Sequence, residues 1–171
     1  NGKTIGICRG RMEFGARALG NRSILANPSD STIVRIINEQ IKYRDFWMPF
    51  TPSILQERAK DYLINPKHID SPFMTIAFDS TPLARKELIA AIHPADFTVR
   101  PQIVKKETNP EYYDLIKEFE KLTGIGGVLN TSLNLHGYPM VCSPKDAIEV
   151  MDNSSLDMMY FGDILLTRKN G

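Results

Sequence analysis

The segment 10–25, GRMEFGARALGNRSIL, has the residue types of an anion-binding loop. It carries Arg11, Arg17 and Arg22 together with three glycines and one acid, Glu13. Arginine presents a planar fork of donors that fits phosphate and carboxylate groups, and glycine lets a backbone bend sharply or approach a partner closely. Arginine–glutamate pairs on an ordinary surface loop would produce the same composition, so both interpretations stand at this point.

Two further segments contribute cations. In IKYRDFWMPF (41–50), Lys42 and Arg44 fall at the end of a predicted helix, where cations favour the C-terminal dipole; followed by an aromatic–proline run, they would equally suit the rim of a pocket. In TVRPQ (98–102), Arg100 and Gln102 point to one face of an extended segment. Pro101 argues against a central strand, and an arginine on a plain edge strand is the alternative.

A fourth segment, LNTSLNLHGYP (129–139), supplies neutral polar groups directly after an apolar run. Its small side chains would orient an acyl or phosphoryl oxygen, or would simply cap a turn; they are Asn130, Thr131, Ser132 and Asn134. His136 has no second His, Cys or carboxylate near it in sequence, so no metal site is predicted.

Together these segments place arginine, lysine, serine and asparagine on separate loops, an arrangement typical of a site that grips a polyanion. The sequence contains no GxxxxGKS or GxGxxG phosphate-binding pattern and no plausible Ser-His-Asp set. A nucleotide site here would not be of the common kinds.

Alternating strand and helix patterns predict one α/β domain over 1–171 with a central twisted sheet. The predicted strands are 3–8, 50–55, 73–79, 97–104, 127–130 and a strand or hairpin at 158–169. The predicted helices are 30–44, 57–64, 82–92, 110–123 and 144–151, with an apolar stripe of Tyr112, Leu115, Ile116, Phe119 and Leu122 in the fourth. The polar segments adjoin strand ends, where open α/β sheets place ligands.

Composition limits the class of protein. The 171 residues carry a net charge of +1, which gives no general attraction to nucleic acid or to an anionic membrane, and no apolar run approaches the ~20 residues of a membrane span. Cys8 and Cys142 lack metal-like spacing and are expected to be buried, reduced thiols of a cytoplasmic protein. Because the chain starts without methionine, we expect a piece of a longer protein.

Several motifs resemble the C-terminal domain of the nodulation-type O-carbamoyltransferases, a family that also acts in antibiotic biosynthesis. They are GRMEFGARALGNRSILANP, IKYRDFWMPFTPSIL, NPEYYDLIKEFEKLTG, VLNTSLNLHGYPMVCSPKDAI and DMMYFGDILL. The resemblance implies a YrdC-like fold, a mostly open twisted sheet flanked by helices. TSLNLHGYP also resembles the Ser-x-Asn-x-x-Gly signature of YrdC-type enzymes.

The resemblance also implies a chemistry. The domain would bind ATP, with Mg²⁺, and carbamoyl phosphate, and would form carbamoyl-adenylate with loss of pyrophosphate and phosphate. An N-terminal ASKHA-type domain with its own metal, absent from this sequence, would pass the carbamoyl group to a hydroxyl of a small-molecule acceptor. We expect that missing domain to be a partner of this one, and we expect this chain alone not to carbamoylate any acceptor.

The motifs can be matched one by one. Arg17 and Lys42 match the family's phosphate-binding cations, and Arg100 matches the family's arginine before Pro-Gln. Asn130 and Ser132 match the polar residues at the end of the corresponding strand. The resemblance thus implies catalytic roles for Lys42, Arg100 and Ser132. The remaining implied substrate- or nucleotide-binding residues are Arg44, Thr131 and Asn134.

Two departures stand out. Met48 occupies a position that is arginine in many relatives, so one phosphate contact is missing or is supplied by Arg44. The run HPADFTV before Arg100 lacks the usual glycine. Two other functions remain open: a tRNA threonylcarbamoyl-adenylate synthase, which would use bicarbonate and threonine, and a non-catalytic nucleotide-binding module, which Met48 keeps in view.

Overall fold

The computed structural model describes residues 2–168 and contains ten strands in two open sheets. Seven strands form a mixed sheet in the order β10-β9-β1-β2-β8-β3-β7, and three form a small antiparallel sheet in the order β4-β5-β6. The strands are β1 (Ile5–Cys8), β2 (Arg22–Ala26), β3 (Thr51–Leu55), β4 (Leu63–Ile64), β5 (Phe78–Ser80), β6 (Thr98–Val99), β7 (Gln102–Val104), β8 (Gly127–Ser132), β9 (Met158–Phe161) and β10 (Ile164–Thr167).

Helices cover both faces of the large sheet, which confirms the predicted α/β class. They are α1 (Thr32–Ile36), continued by π-helical turns over Ile37–Lys42, α2 (Ala59–Tyr62), α3 (Pro82–Glu87), α4 (Pro110–Thr123) and α5 (Pro144–Asp152). Side chains alternate along β8. Leu129 therefore packs in the core with α1 and α5, while Val128 packs on the other face with Tyr112 and Ile116 of α4.

The strand directions bring the four polar segments to one edge of the large sheet. β1 and β8 run in one direction, and β2, β3 and β7 run in the opposite one. The carboxyl ends of the first pair therefore lie beside the amino ends of the other three. The connections at this edge, which we call the polar edge, are 9–21, 43–50, 100–101 and 133–142.

The predicted starts of α3, α4 and α5 are confirmed, and each of these three helices begins with a capping side chain followed by proline. The predicted helices 30–44 and 57–64 begin two residues later, at Thr32 and Ala59, without a side-chain cap. Thr81 accepts a hydrogen bond from the Ala84 N–H at α3, and Asn109 accepts one from Tyr112 at α4. Ser143 and Asp146 form a reciprocal capping box at α5. No helix within residues 2–168 has the length and apolar character needed to cross a bilayer.

Some local predictions were wrong. Cys8 is buried as expected, but Cys142 is exposed in the loop before α5. The predicted strand 73–79 is limited to β5, since Met74 adopts a φ of +56°, which strand conformation excludes. The predicted helix 57–64 ends at Tyr62, and its last two residues form β4. Leu122 is 86% exposed, because it lies about 80° around the helix from Tyr112 at roughly 100° per residue.

β2 was not predicted at all, although it lies at the centre of the large sheet with every residue buried. Its short run RSILA directly follows residue 21 of the arginine- and glycine-rich segment. Its residues do not alternate between buried and exposed, because helices cover both faces of the sheet. The predicted C-terminal hairpin is confirmed as β9 and β10, and its last predicted residue, 169, lies outside the described part of the chain.

Candidate active site

The connection 9–21, which we call the glycine–arginine loop, contains its own anion. One oxygen of the Glu13 carboxylate, Oε1, accepts hydrogen bonds from the N–H groups of Leu19 at 2.6 Å, Asn21 at 2.8 Å and Arg22 at 3.2 Å. The other oxygen, Oε2, is buried and has no hydrogen-bond partner. The acid seen among the arginines in the sequence therefore holds the loop backbone.

The three arginines of this segment have different environments. Arg22 is buried and donates to the main-chain oxygens of Arg9, Gly10, Asn21 and Cys142 at 2.7 to 3.3 Å. Its guanidinium joins the loop to the segment after β8 and has no donor capacity to spare for a ligand. Arg11 and Arg17 are exposed, and within residues 2–168 neither side chain has a hydrogen-bond or ion-pair partner.

Lys42 lies at the end of the π-helical turns and is directly bonded to the segment that follows β8. Its side chain is buried, with 2% of the residue exposed. The ammonium Nζ donates to the Ser132 main-chain oxygen, to Ser132 Oγ at 3.2 Å and to Asn134 Oδ1 at 2.6 Å. The Ser132 hydroxyl also donates to Asn134 Oδ1, at 2.5 Å. The sequence interpretation had placed Lys42 on one motif and Ser132 and Asn134 on another, and the fold brings the two motifs into contact.

Burial, with a smaller contribution from the positive charge of Arg44, lowers the pKa of Lys42 from its ordinary value of 10.5 to about 7. Among the described residues, no carboxylate lies within ion-pair distance of this ammonium group. A buried cation without a counter-charge is costly. An anion bound beside Lys42 would remove that cost, so the site is electrostatically prepared for one.

Arg44 is fixed rather than free. Its Nε donates to Asn38 Oδ1 at 2.7 Å, and its guanidinium lies over the Phe50 ring, 4.9 Å from the centroid. Partial burial lowers its pKa. Arg44 and Met48 line a cavity of about 440 Å³ together with His136. Met48, where the resemblance led us to expect an arginine, therefore faces the same cavity as Arg44, the residue expected to replace that arginine.

Asn130 uses its donors within the protein. Its Nδ2 donates to the Ala18 main-chain oxygen at 3.1 Å and to Ser53 Oγ at 2.9 Å, while its Oδ1 is buried without a partner. Asn130 and Ser132 point to the same face of β8, and Thr131, which pairs with Ile24, points to the other. The amide of Asn130 thus ties the glycine–arginine loop to the sheet.

Arg100 is exposed in the short connection between β6 and β7 at the polar edge, and its side chain has no partner among residues 2–168. Gln102, which the sequence placed on the same face, is buried in β7; it donates to the Leu19 main-chain oxygen at 3.0 Å and accepts from Ser53 Oγ at 2.7 Å. The polar edge thus brings Arg17 and Arg100 to neighbouring connections, and neither side chain contacts Lys42 or Ser132 directly.

A cavity of about 510 Å³ opens beside Asn134. Its lining combines apolar side chains, those of Leu135, Tyr138, Met140 and Val150, with the carboxylates of Asp146 and Glu149. Sequence reasoning did not identify this cavity, because its walls come from the loop after β8 and from α5. The roles of Glu13 and Gln102 in holding the loop were also missed, although both residues stood next to the arginines that were considered.

The chain belongs to the family described as Carbamoyltransferase C-terminus, whose profile matches residues 1–168. This agrees with the resemblance noted from the motifs.

The chain is similar to an uncharacterized protein of Methanocaldococcus jannaschii, with 44% identity over 166 residues, 97% of this chain and 31% of that protein. It is also similar to nodulation protein NolO of Bradyrhizobium diazoefficiens, at 39% identity over 99% of this chain and 31% of that protein. Nodulation protein U of Rhizobium tropici is 32% identical over 98% of this chain and 28% of that protein. The chain spans less than a third of the length of these relatives.

Proposed function

We propose that this chain binds carbamoyl phosphate and ATP and forms carbamoyl-adenylate, the activation half of an O-carbamoyltransferase that modifies a hydroxyl of a small-molecule acceptor. The observation that carries the proposal is the buried Lys42 ammonium, which is bonded to Ser132 and Asn134 and has no carboxylate beside it among the described residues. Family membership supports the carbamoyl group as the one that is activated.

The proposed reaction balances with one water molecule. Carbamoyl phosphate and water yield carbamate and phosphate, and a carbamate oxygen then attacks the α-phosphorus of ATP and displaces pyrophosphate. Both steps crowd negative charge, which fixed cations stabilise most strongly where water is excluded. Lys42 would attract a phosphoryl oxygen at the sheet as a fixed positive charge, since its three N–H donors already serve Ser132 and Asn134. The unpaired Arg17 and Arg100 would close over that oxygen from the neighbouring connections.

The chain offers a fit for the nucleotide but no separate cage for a metal ion. The cavity beside Asn134 is large enough for a nucleoside, with the exposed Tyr138 ring at its rim and the carboxylates of Asp146 and Glu149 in its lining. Within residues 2–168 no group of three His, Cys, Asp or Glu side chains is arranged to hold a metal ion. Mg²⁺ would therefore be held mainly by the nucleotide phosphates and water, as is usual for this ion, and would neutralise phosphate charge.

The test is pyrophosphate release by the purified chain from ATP labelled at the γ-phosphate, with Mg²⁺ and carbamoyl phosphate. We expect release that depends on carbamoyl phosphate, is lost in Lys42→Met and is retained in the control Lys86→Met, since Lys86 is exposed on α3. No release by the wild-type chain that depends on carbamoyl phosphate would refute the proposal.

The same assay separates the other candidates. Pyrophosphate release with bicarbonate and threonine instead of carbamoyl phosphate would identify a threonylcarbamoyl-adenylate synthase. Nucleotide binding without turnover on either co-substrate would favour a non-catalytic module, a candidate that Met48 supports because its thioether stands in the cavity where a cation would be expected. Transfer to the acceptor is assigned to the part of the longer relatives that this chain does not cover.

A further inference from the structure

The glycine–arginine loop is too long to be ordered by its turn alone. It joins two antiparallel strands over residues 9–21, whereas hairpin loops usually have about two to five residues. Its only acid has an oxygen that accepts three main-chain hydrogen bonds, so this carboxylate fills a nest of N–H groups that would otherwise receive an external anion. Glu13 lies four residues before Arg17 in the sequence. The N–H groups that its carboxylate binds belong to residues that follow Arg17.

The residues directly after Arg17 are tied down from the sheet. Asn130 holds the Ala18 oxygen and Gln102 holds the Leu19 oxygen, while Glu13 holds the Leu19 N–H. Gly20 follows with a φ of +114°, and a Cβ there would lie 2.4 Å from the Tyr112 ring. The backbone that follows Arg17 is therefore fixed relative to the strand that carries Ser132, and Glu13, four residues before Arg17, is bonded to this same stretch of backbone.

We propose that Glu13 is a positioning residue for Arg17: its carboxylate acts as the loop's internal anion and holds the arginine at the polar edge before any ligand arrives. The proposal rests on the proposed function, because it assigns Arg17 to phosphate binding. Glu13 leaves the Arg17 side chain free, since it bonds main-chain N–H groups and not the guanidinium. The arginine therefore keeps all its donors for the ligand while its backbone is immobilised.

A purely structural role for Glu13 leads to a different expectation for ligand binding. If Glu13 only stabilised the fold, its loss would weaken binding whether or not Arg17 were present. If Glu13 acts through Arg17, removing it matters only while the arginine is there, because an unordered loop lowers the fraction of molecules with Arg17 in place. A drop of that fraction to about a tenth weakens binding about tenfold.

The first arm of the test needs no ligand and uses amide hydrogen exchange on the 171-residue chain. In Glu13→Ala we expect exchange at Leu19, Asn21 and Arg22 to accelerate at least tenfold, with Leu129 in the core unchanged. Glu13→Gln, which keeps one acceptor oxygen, should retain most of the protection. Glu118→Ala, at an exposed carboxylate on α4, should change none of these amides. Unchanged protection in Glu13→Ala would overturn the inference.

The second arm is a double-mutant cycle on the dissociation constant for carbamoyl phosphate. We expect Glu13→Ala to weaken binding about tenfold in the wild-type background and less than about twofold when Arg17 is already alanine. Effects that multiply would overturn the inference while leaving the proposed function intact. If the wild-type chain binds no carbamoyl phosphate, the proposed function is refuted, and so is the role of Arg17 in binding the ligand. In that case the hydrogen-exchange experiment still decides whether Glu13 orders the loop. If Glu13→Ala loses tertiary structure, Glu13→Asp, whose shorter side chain withdraws the carboxylate from the three N–H groups, replaces it in both arms.

Discussion

Lys42→Met removes a buried charge while keeping the length of the side chain, so it isolates what the ammonium group does. In the folded chain the pKa of Lys42 is about 7 instead of its ordinary 10.5. At pH 6 about nine-tenths of the lysines carry the charge, and at pH 8 about one-tenth do. The advantage of the wild type over Lys42→Met in binding carbamoyl phosphate should therefore fall about tenfold between these two pH values.

The assay is calorimetric titration of carbamoyl phosphate at half-unit steps from pH 6 to 8.5, with both proteins at each step. The ligand's own titration is common to both proteins and cancels in the ratio of their dissociation constants. Circular dichroism at each pH confirms that both are folded. A ratio that stays constant over the whole range would refute the reasoning, because it would mean that a permanently charged Lys42, or no Lys42 at all, contacts the ligand.

The same pKa has a signature in stability without ligand. Below about pH 7 Lys42 is protonated in both states, and the cost of burying the charge is fully present. Between about 7 and 10.5 the unfolded chain holds a proton that the folded chain has released, so the free energy of unfolding rises with pH. Over this whole pH range the free energy of unfolding rises by about 5 kcal/mol at most. Urea unfolding should show this rise in the difference between wild type and Lys42→Met.

Four other outcomes follow from the structure. Arg17→Ala should weaken carbamoyl phosphate binding roughly 10- to 150-fold, for a charge-assisted contact of about 1.5–3 kcal/mol, with an unchanged urea midpoint; an unaltered dissociation constant would remove Arg17 from the site. Arg22→Ala should lower the free energy of unfolding by about 3 kcal/mol or more, because it leaves buried main-chain oxygens without donors, whereas the exposed Arg11→Ala should change it by less than about 0.5 kcal/mol. Ser143→Ala should cost about 1 kcal/mol through loss of the capping box, and urea unfolding that finds no loss would contradict that role. The 171-residue chain by itself should yield no carbamoylated acceptor by mass spectrometry, and a carbamoylated product would show that acceptor transfer needs no other part of the longer relatives.

The starts of α3, α4 and α5 were readable from the sequence because their signals are local. Thr81, Asn109 and Ser143, each followed by proline, begin α3, α4 and α5 as predicted. Such caps depend on residues within one turn of the helix, so tertiary structure does not alter them. The α/β class followed from the same local patterns, and so did the family, since its motifs lie in contiguous runs of sequence.

The sheet was harder to predict from the sequence, because strand pairing joins residues that are far apart in the chain. β2 carries no alternation because both of its faces are covered, and a strand of that kind looks like any short apolar run. The segment 73–79 shows the opposite error: its apolar residues are those of a strand, but one left-handed residue, Met74, ends the extended conformation. Neither run of residues, considered without the strands that pack beside it, shows which of the two forms a strand.

At the candidate site, the sequence by itself determined which segments carry cations and small polar groups. Only the tertiary structure decided what each of those groups does. Arg17 and Arg22 stand five residues apart on one segment, yet one is exposed and unpaired within the described chain while the other is buried against main-chain oxygens. Lys42, which looked like an ordinary helix-end cation, is the buried one, because the strand order places β8 and Ser132 beside it. The physical reason is that burial, and with it the pKa and the free donors of a side chain, depends on which distant strand lies alongside, and no local spacing encodes that.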